Sequence, residues 1–198
     1  GGFLRIPDAD FAKFANVESG GDGTFSLSGQ REGNSNRDRA RAMWAEAEPV
    51  QGTIAATYIE AREIRLHSAA DAVRYHATGG ALGRPCALFP VTGAESEIVA
   101  VQRVPLLEDG SDRDRDIGKR SLGPLRIGWF EVSDPEPEHT LIAEGPEDAL
   151  SIWTAIKNDI TTPDVRVIGM MGQRWAQAAE AFPGAVFVAD ADSLDNAS

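Results

Sequence analysis

Apolar positions change their period twice along the chain. Over residues 1–36 there is almost none: Gly, Ser, Asn and Asp dominate, and only Phe11 and Phe14 suggest a short amphipathic turn around Asp10–Val17. The stretch Glu18–Asn36 reads as a flexible loop or linker. Helical spacing then predicts a helix from Asn36 to Glu46, with Asn36 as its cap. A second is predicted from Thr53 to Arg62, with Ile54, Thr57, Tyr58 and Ala61 on one face.

The middle of the chain switches to short apolar or alternating runs. Ala72–His76, Ala87–Val91, Ile98–Leu107 and Gly128–Val132 are separated by turn-forming segments, which predicts an antiparallel meander. The charged stretch Asp109–Lys119 reads as a solvated loop.

The last third changes again. Thr140–Ala143, Val165–Met170 and Ala185–Ala189 are short apolar runs of the kind a buried parallel sheet needs. Between the first two, Pro146 sits where a helix would start, and Ala149, Ile152, Trp153 and Ile156 share one helical face. Between the second and third, Trp175, Ala178, Ala179 and Phe182 repeat that spacing until Pro183-Gly184 stops it. The expected architecture is therefore α/β. A C-terminal parallel sheet with flanking helices (136–198) follows a smaller α+β subdomain with an antiparallel meander (37–135). A flexible N-terminal segment (1–36) precedes both.

Composition adds exclusions. No apolar run approaches the roughly 20 residues that span a bilayer. Gly1-Gly2-Phe3-Leu4-Arg5 does not read as a signal peptide, so cytoplasm is the expected compartment, with no membrane partner. The single cysteine, Cys86, reads as a small buried hydrophobe. His67, His76 and His139 show no metal-ligand spacing. The net charge of −12 is unfavourable for a strong nonspecific grip on a phosphate backbone. Nucleic-acid contacts must then be local, helped by other domains, or mediated by cations.

Carboxylates gather where the predicted strands end. Glu144 closes the first strand, Asp190 closes the third, and Asp192 follows two residues on, able to point the same way. Asp148 lies one helical turn beyond Glu144. In parallel α/β sheets, ligands bind beyond the carboxyl ends of the strands. Hard divalent cations take oxygen ligands, and paired ions promote phosphoryl transfer. The plainer alternative is that Glu147 and Asp148 only complement the helix dipole.

These residues carry a family resemblance. Glu144-Gly145-Pro146-Glu147-Asp148 resembles the Glu-Gly-x-x-Asp motif of Toprim domains, and Val188-Ala189-Asp190-Ala191-Asp192 resembles their Asp-x-Asp strand. The preceding strand pair, Phe89-Pro90-Val91 and Ile98–Arg103, resembles that of bacterial DnaG-type and phage primases. Lys119-Arg120-Ser121-Leu122-Gly123-Pro124 resembles their basic segment. The resemblance implies a primase-type catalytic core from a bacterium, phage or mobile element. It would make short RNA primers on single-stranded DNA from ribonucleoside triphosphates, beside a replicative helicase. Glu144, Asp148, Asp190 and Asp192 would hold Mg²⁺ or Mn²⁺, with Glu144, Asp190 and Asp192 catalytic. Arg103, Lys119 and Arg120 would contact nucleotide or template phosphates. On the residues alone, Arg103 could equally be a solvated strand-edge residue, and Lys119 and Arg120 could merely balance the acidic loop. The final strand and helix of a complete Toprim sheet are not found before Ser198, so that domain is expected to be incomplete here. Competing readings are a Toprim nuclease or topoisomerase fragment, and a noncatalytic docking module for a replisome partner. Tyr58 and Tyr75 fall in predicted core elements, which disfavours a tyrosine nucleophile.

Overall fold

The computed structural model describes residues 4–5, 27–158 and 163–189. In chain order its first elements are β1 (Leu4–Arg5), α1 (Leu27–Glu46), β2 (Glu48–Pro49), α2 (Ile54–Glu60), β3 (Arg74–His76), β4 (Cys86–Thr92) and β5 (Ile98–Pro105). There follow β6 (Arg120–Leu122), β7 (Phe130–Ser133), β8 (His139–Ala143), α3 (Pro146–Lys157), β9 (Val165–Gly169), α4 (Trp175–Ala181) and β10 (Val186–Ala189). Among the described residues, no helix is long and apolar enough to cross a membrane.

Helix α1 begins nine residues earlier than the apolar spacing predicts, inside the stretch read as linker. Gly29 and Gly33 each cost a helix about 1 kcal/mol relative to alanine, which is why the sequence argues against it there. Packing of the C-terminal half offsets that cost: Ala40, Met43 and Trp44 lie against Val101 and Leu122. The pair Leu4–Arg5 also departs from the expected loose N-terminal segment, since it forms a short edge strand on β10. Helix α2 starts as expected, with the Thr53 hydroxyl accepting from the Ala55 N–H at 3.2 Å.

The strands form two five-stranded sheets. The first, in the order β2-β3-β4-β5-β6, is the antiparallel meander the alternation predicts. The second, in the order β1-β10-β8-β9-β7, is mixed. Its inner strands β10, β8 and β9 are parallel, while β1 and β7 pair antiparallel at the two edges. Strand β7 was expected within the meander, but it pairs with β9, Phe130 opposite Gly169. Its alternating burial would suit either sheet. The second sheet therefore starts before residue 136.

The chain passes from β8 to β9 and then back beyond β8 to β10, so right-handed crossovers put α3 and α4 on opposite faces. The core follows suit. Ala149, Leu150 and Trp153 of α3 pack with Ala143, Val165 and Val167. Ala178 of α4 packs with Ile142, Ile168, Met170 and Phe187. The α3 side is continuous with the inner face of the first sheet, where Phe89 meets Phe130 edge-on at 5.9 Å. The two sheets thus share one core.

Candidate functional site

The order of the second sheet makes the carboxyl end of β8 its topological switch point, because connections leave toward opposite faces on either side of it. Glu144 is the first residue beyond that end. It is half-buried, and its Oε1 is buried without a hydrogen-bond partner among the described residues. Its backbone is pinned, since its carbonyl accepts from the Gly172 N–H at 3.1 Å. A buried carboxylate oxygen left unsatisfied is costly unless something else meets it.

Asp148 comes back to the same rim. It sits in the first turn of α3, and its Oδ2 accepts from the Gly145 N–H at 3.1 Å. A side chain on Gly145 would bring its Cβ to 3.1 Å from that oxygen, so glycine leaves the cap room. Gly169 on β9 serves the same rim. A Cβ there would lie 2.9 Å from the Gly145 carbonyl oxygen, so this glycine allows β9 and the Gly145-Pro146 turn to approach. Asp148 is exposed by surface area, yet its carboxyl is pushed up. Crowding by the protein is the main cause, followed by the negative charge of Glu147; Lys119 opposes and Glu144 adds to the rise. Two carboxylates that repel each other, one with an orphaned oxygen, fit a hard divalent cation.

Strand β10 brings the chain to this rim. Val186 and Phe187 pair with Leu141 and Ile142, and the same register continued puts Ala189 beside Glu144. Asp190 and Asp192 lie outside the described residues. Among the described residues, no group of three or more His, Cys, Asp or Glu is placed to hold a metal ion. A complete ligand set would need water, phosphate or the residues after Ala189.

Between the two rim acids, Glu147 faces inward. It is buried, accepting from the Tyr58 hydroxyl at 3.0 Å and from the Lys119 ammonium at 2.8 Å. Burial alone would raise its pKa, but the charge and hydrogen bond of Lys119 outweigh that and hold it below the usual range. The Tyr58 hydroxyl is pushed far up by burial and by the Glu147 charge. Helix-dipole reasoning about Glu147 did not foresee this contact.

Lys119 arrives on an ordered loop rather than a solvated one. Asp114 is buried, and its Oδ1 accepts from the backbone N–H groups of Asp116 and Ile117. Gly110 lies so close to α2 that a Cβ would meet the Ile54 carbonyl at 2.5 Å. Arg62, just beyond the end of α2, pairs with Asp112 at 3.3 Å. The acids of this stretch fold it instead of merely solvating it.

Arg103 and Arg120 lie elsewhere. They face each other across β5 and β6, in the same row as Leu88 and Arg74. That face carries Leu88 and Val101 and is covered by α1, whereas the opposite face packs toward α3. Lys119 is thus joined to the acidic rim, and Arg103 and Arg120 are separated from it by the thickness of the sheet. Arg103 donates to the carbonyls of Gly79 and Ser121, each at 3.4 Å, and its Nε is buried without a partner among the described residues. Burial is the main force lowering its pKa; Cys86 opposes, while Arg39 and Arg120 add to it. Like charges opposed across a sheet destabilise it unless an anion meets them.

Cys86 and Trp129 pack within the fold. Cys86 is buried, its thiol pushed up to about 12 by burial. Trp129 is covered by Arg174, whose guanidinium lies 4.2 Å from its ring.

A family model described as "Domain of unknown function (DUF7146)" matches residues 34–131. That span covers the antiparallel sheet with Arg103, Lys119 and Arg120, and ends before Glu144. No curated protein and no solved structure matches this chain.

Proposed function

We propose that this chain carries a Toprim-type nucleotidyltransferase core of the primase class, joining ribonucleotides on single-stranded DNA. One observation carries the reading: the orphaned Glu144 carboxylate oxygen at the switch point of a sheet, with Asp148 on the same rim and β10 delivering the chain toward Asp190. Glu144, Asp148, Asp190 and Asp192 are the residues that would hold Mg²⁺ or Mn²⁺. Ions there would supply charge to activate a primer-end hydroxyl and to offset that of departing pyrophosphate. Lys119 offers a tethered cation to incoming phosphates on the acidic rim. Arg120, exposed on β6 with the half-buried Arg103 opposite it, would meet the template backbone.

Manganese titration tests the reading. Glu144→Gln and Asp190→Ala should each weaken Mn²⁺ binding by at least about tenfold, a loss of one ligand's worth of affinity. Primer synthesis on single-stranded DNA should fall with them. Unchanged Mn²⁺ affinity in both variants would end the metal reading. Metal-dependent DNA cleavage without synthesis would assign the same acids to a nuclease.

A further inference from the structure

The acid between the two proposed metal ligands does a different job. We infer that Glu147 is a positioning residue: with Tyr58 it fixes the Lys119 ammonium as the phosphate-contacting cation of the site. The inference rests on the reading above and names the residue that makes Lys119 usable.

The geometry argues for it in three ways. First, both Glu147 oxygens already have protein partners, Oε1 the Tyr58 hydroxyl and Oε2 the Lys119 ammonium. Glu147 therefore has little left to offer an ion held by Glu144 and Asp148. Second, the assembly joins three separate parts of the fold: α2 through Tyr58, the 109–119 loop through Lys119, and the first turn of α3 through Glu147. A long lysine side chain is otherwise free to sample many rotamers, and binding phosphate would have to freeze it. Holding it beforehand removes that cost. Third, the pair is graded in exposure: the Glu147 side chain is 9 % exposed and that of Lys119 33 %. The anchor is inside and the cation reaches solvent, as a group must that meets a ligand while remaining held.

A mere stability role and a positioning role separate in binding. Mn²⁺ affinity and ATP affinity in the presence of Mn²⁺ are measured for the whole chain and its variants. Lys119→Met and Glu147→Gln should each weaken ATP by about tenfold, the worth of one charge-assisted contact, while Mn²⁺ binding is retained. The double variant should bind ATP no more weakly than Lys119→Met alone, because Glu147 acts through Lys119. Lys119→Arg should restore most of the loss. Should Glu147→Gln fail to fold, Tyr58→Phe takes its place; it removes one bond to Glu147 and should cost ATP binding about threefold. Wild-type ATP affinity in folded Glu147→Gln, or additive losses in the double variant, overturns this inference alone. A wild-type chain that binds no Mn²⁺ overturns both this inference and the metal reading.

Discussion

Replacing Lys119 with methionine removes the cation and keeps most of the side-chain volume. Glu147 is then left as a buried carboxylate without its ion-pair partner. Breaking a fully buried pair in this way costs about 3–5 kcal/mol. Two features reduce that here. Lys119 is one-third exposed, so water can enter where the ammonium was, and Tyr58 still donates to Glu147. About 2 kcal/mol is the expected loss at pH 7. For a chain this long that is about 4–8 °C in Tm. Urea unfolding should show it as a lower midpoint at unchanged slope. The pH dependence fixes the cause. Glu147 has a folded pKa below its unfolded value, so the pair stabilises the fold above the unfolded value and loses that effect as pH falls through the folded one. The gap between wild type and Lys119→Met should therefore close on acidification. Adding Glu147→Gln to Lys119→Met should recover part of the loss, since no charge stays buried. A variant within about 0.5 kcal/mol of wild type at pH 7, or a gap that ignores pH, would refute the reasoning.

Two further outcomes test the frame around the site. Gly169→Ala would put a Cβ 2.9 Å from the Gly145 carbonyl oxygen, against backbone that cannot swing aside, and should cost about 1–3 kcal/mol. Calorimetry and Mn²⁺ titration on one preparation should show both stability and metal affinity falling. Phe89→Ala removes a fully buried ring from the seam between the two sheets and should cost about 3–5 kcal/mol in a single cooperative transition. Two separate transitions would show that the sheets do not share one core.

Local period was legible in this chain, and choice of partner was not. The apolar runs 140–143, 165–170 and 185–189 correspond to three parallel strands, and the Pro146 start and Ala149/Trp153 face of α3 are where the spacing puts them. Strand β7 shows the limit. Glu131 and Ser133 are exposed while Phe130 and Val132 are buried, a pattern that says which face is wet and nothing about which sheet supplies the neighbour. Helix α1 shows another, because its glycines count against it locally and a sheet far along the chain stabilises it. At the site, the rim acids could be suspected because the ends of apolar strands are readable. The partner of Glu147 could not, since Lys119 is 28 positions away and reaches it through a loop whose acids looked merely solvating. The sidedness of the basic residues was open to reasoning, had 120–122 been read as a strand. Neighbouring positions of an extended chain point to opposite faces, so Lys119 and Arg120 were poor candidates for one shared contact.

That sidedness bears on how so acidic a chain could handle phosphates. The net charge of −12 describes the whole molecule, and a ligand meets only the local field. Many of the cations are consumed internally. Arg62 and Arg115 pair with Asp112, Lys157 with Asp134, Arg166 with Glu131, and Arg174 spends its donors on the carbonyls of Met170 and Gly128. What these pairs leave is uneven. One cation, Lys119, stands among the carboxylates of the rim, bound to the acid that does not face outward. On the other face, Arg103 and Arg120 lie opposite each other with Arg39 close by, and none of them is ion-paired with an acid among the described residues. A polyanion would meet the positive field of that row where the exposed Arg120 opens it to solvent. Binding there would be local and strongly salt-dependent.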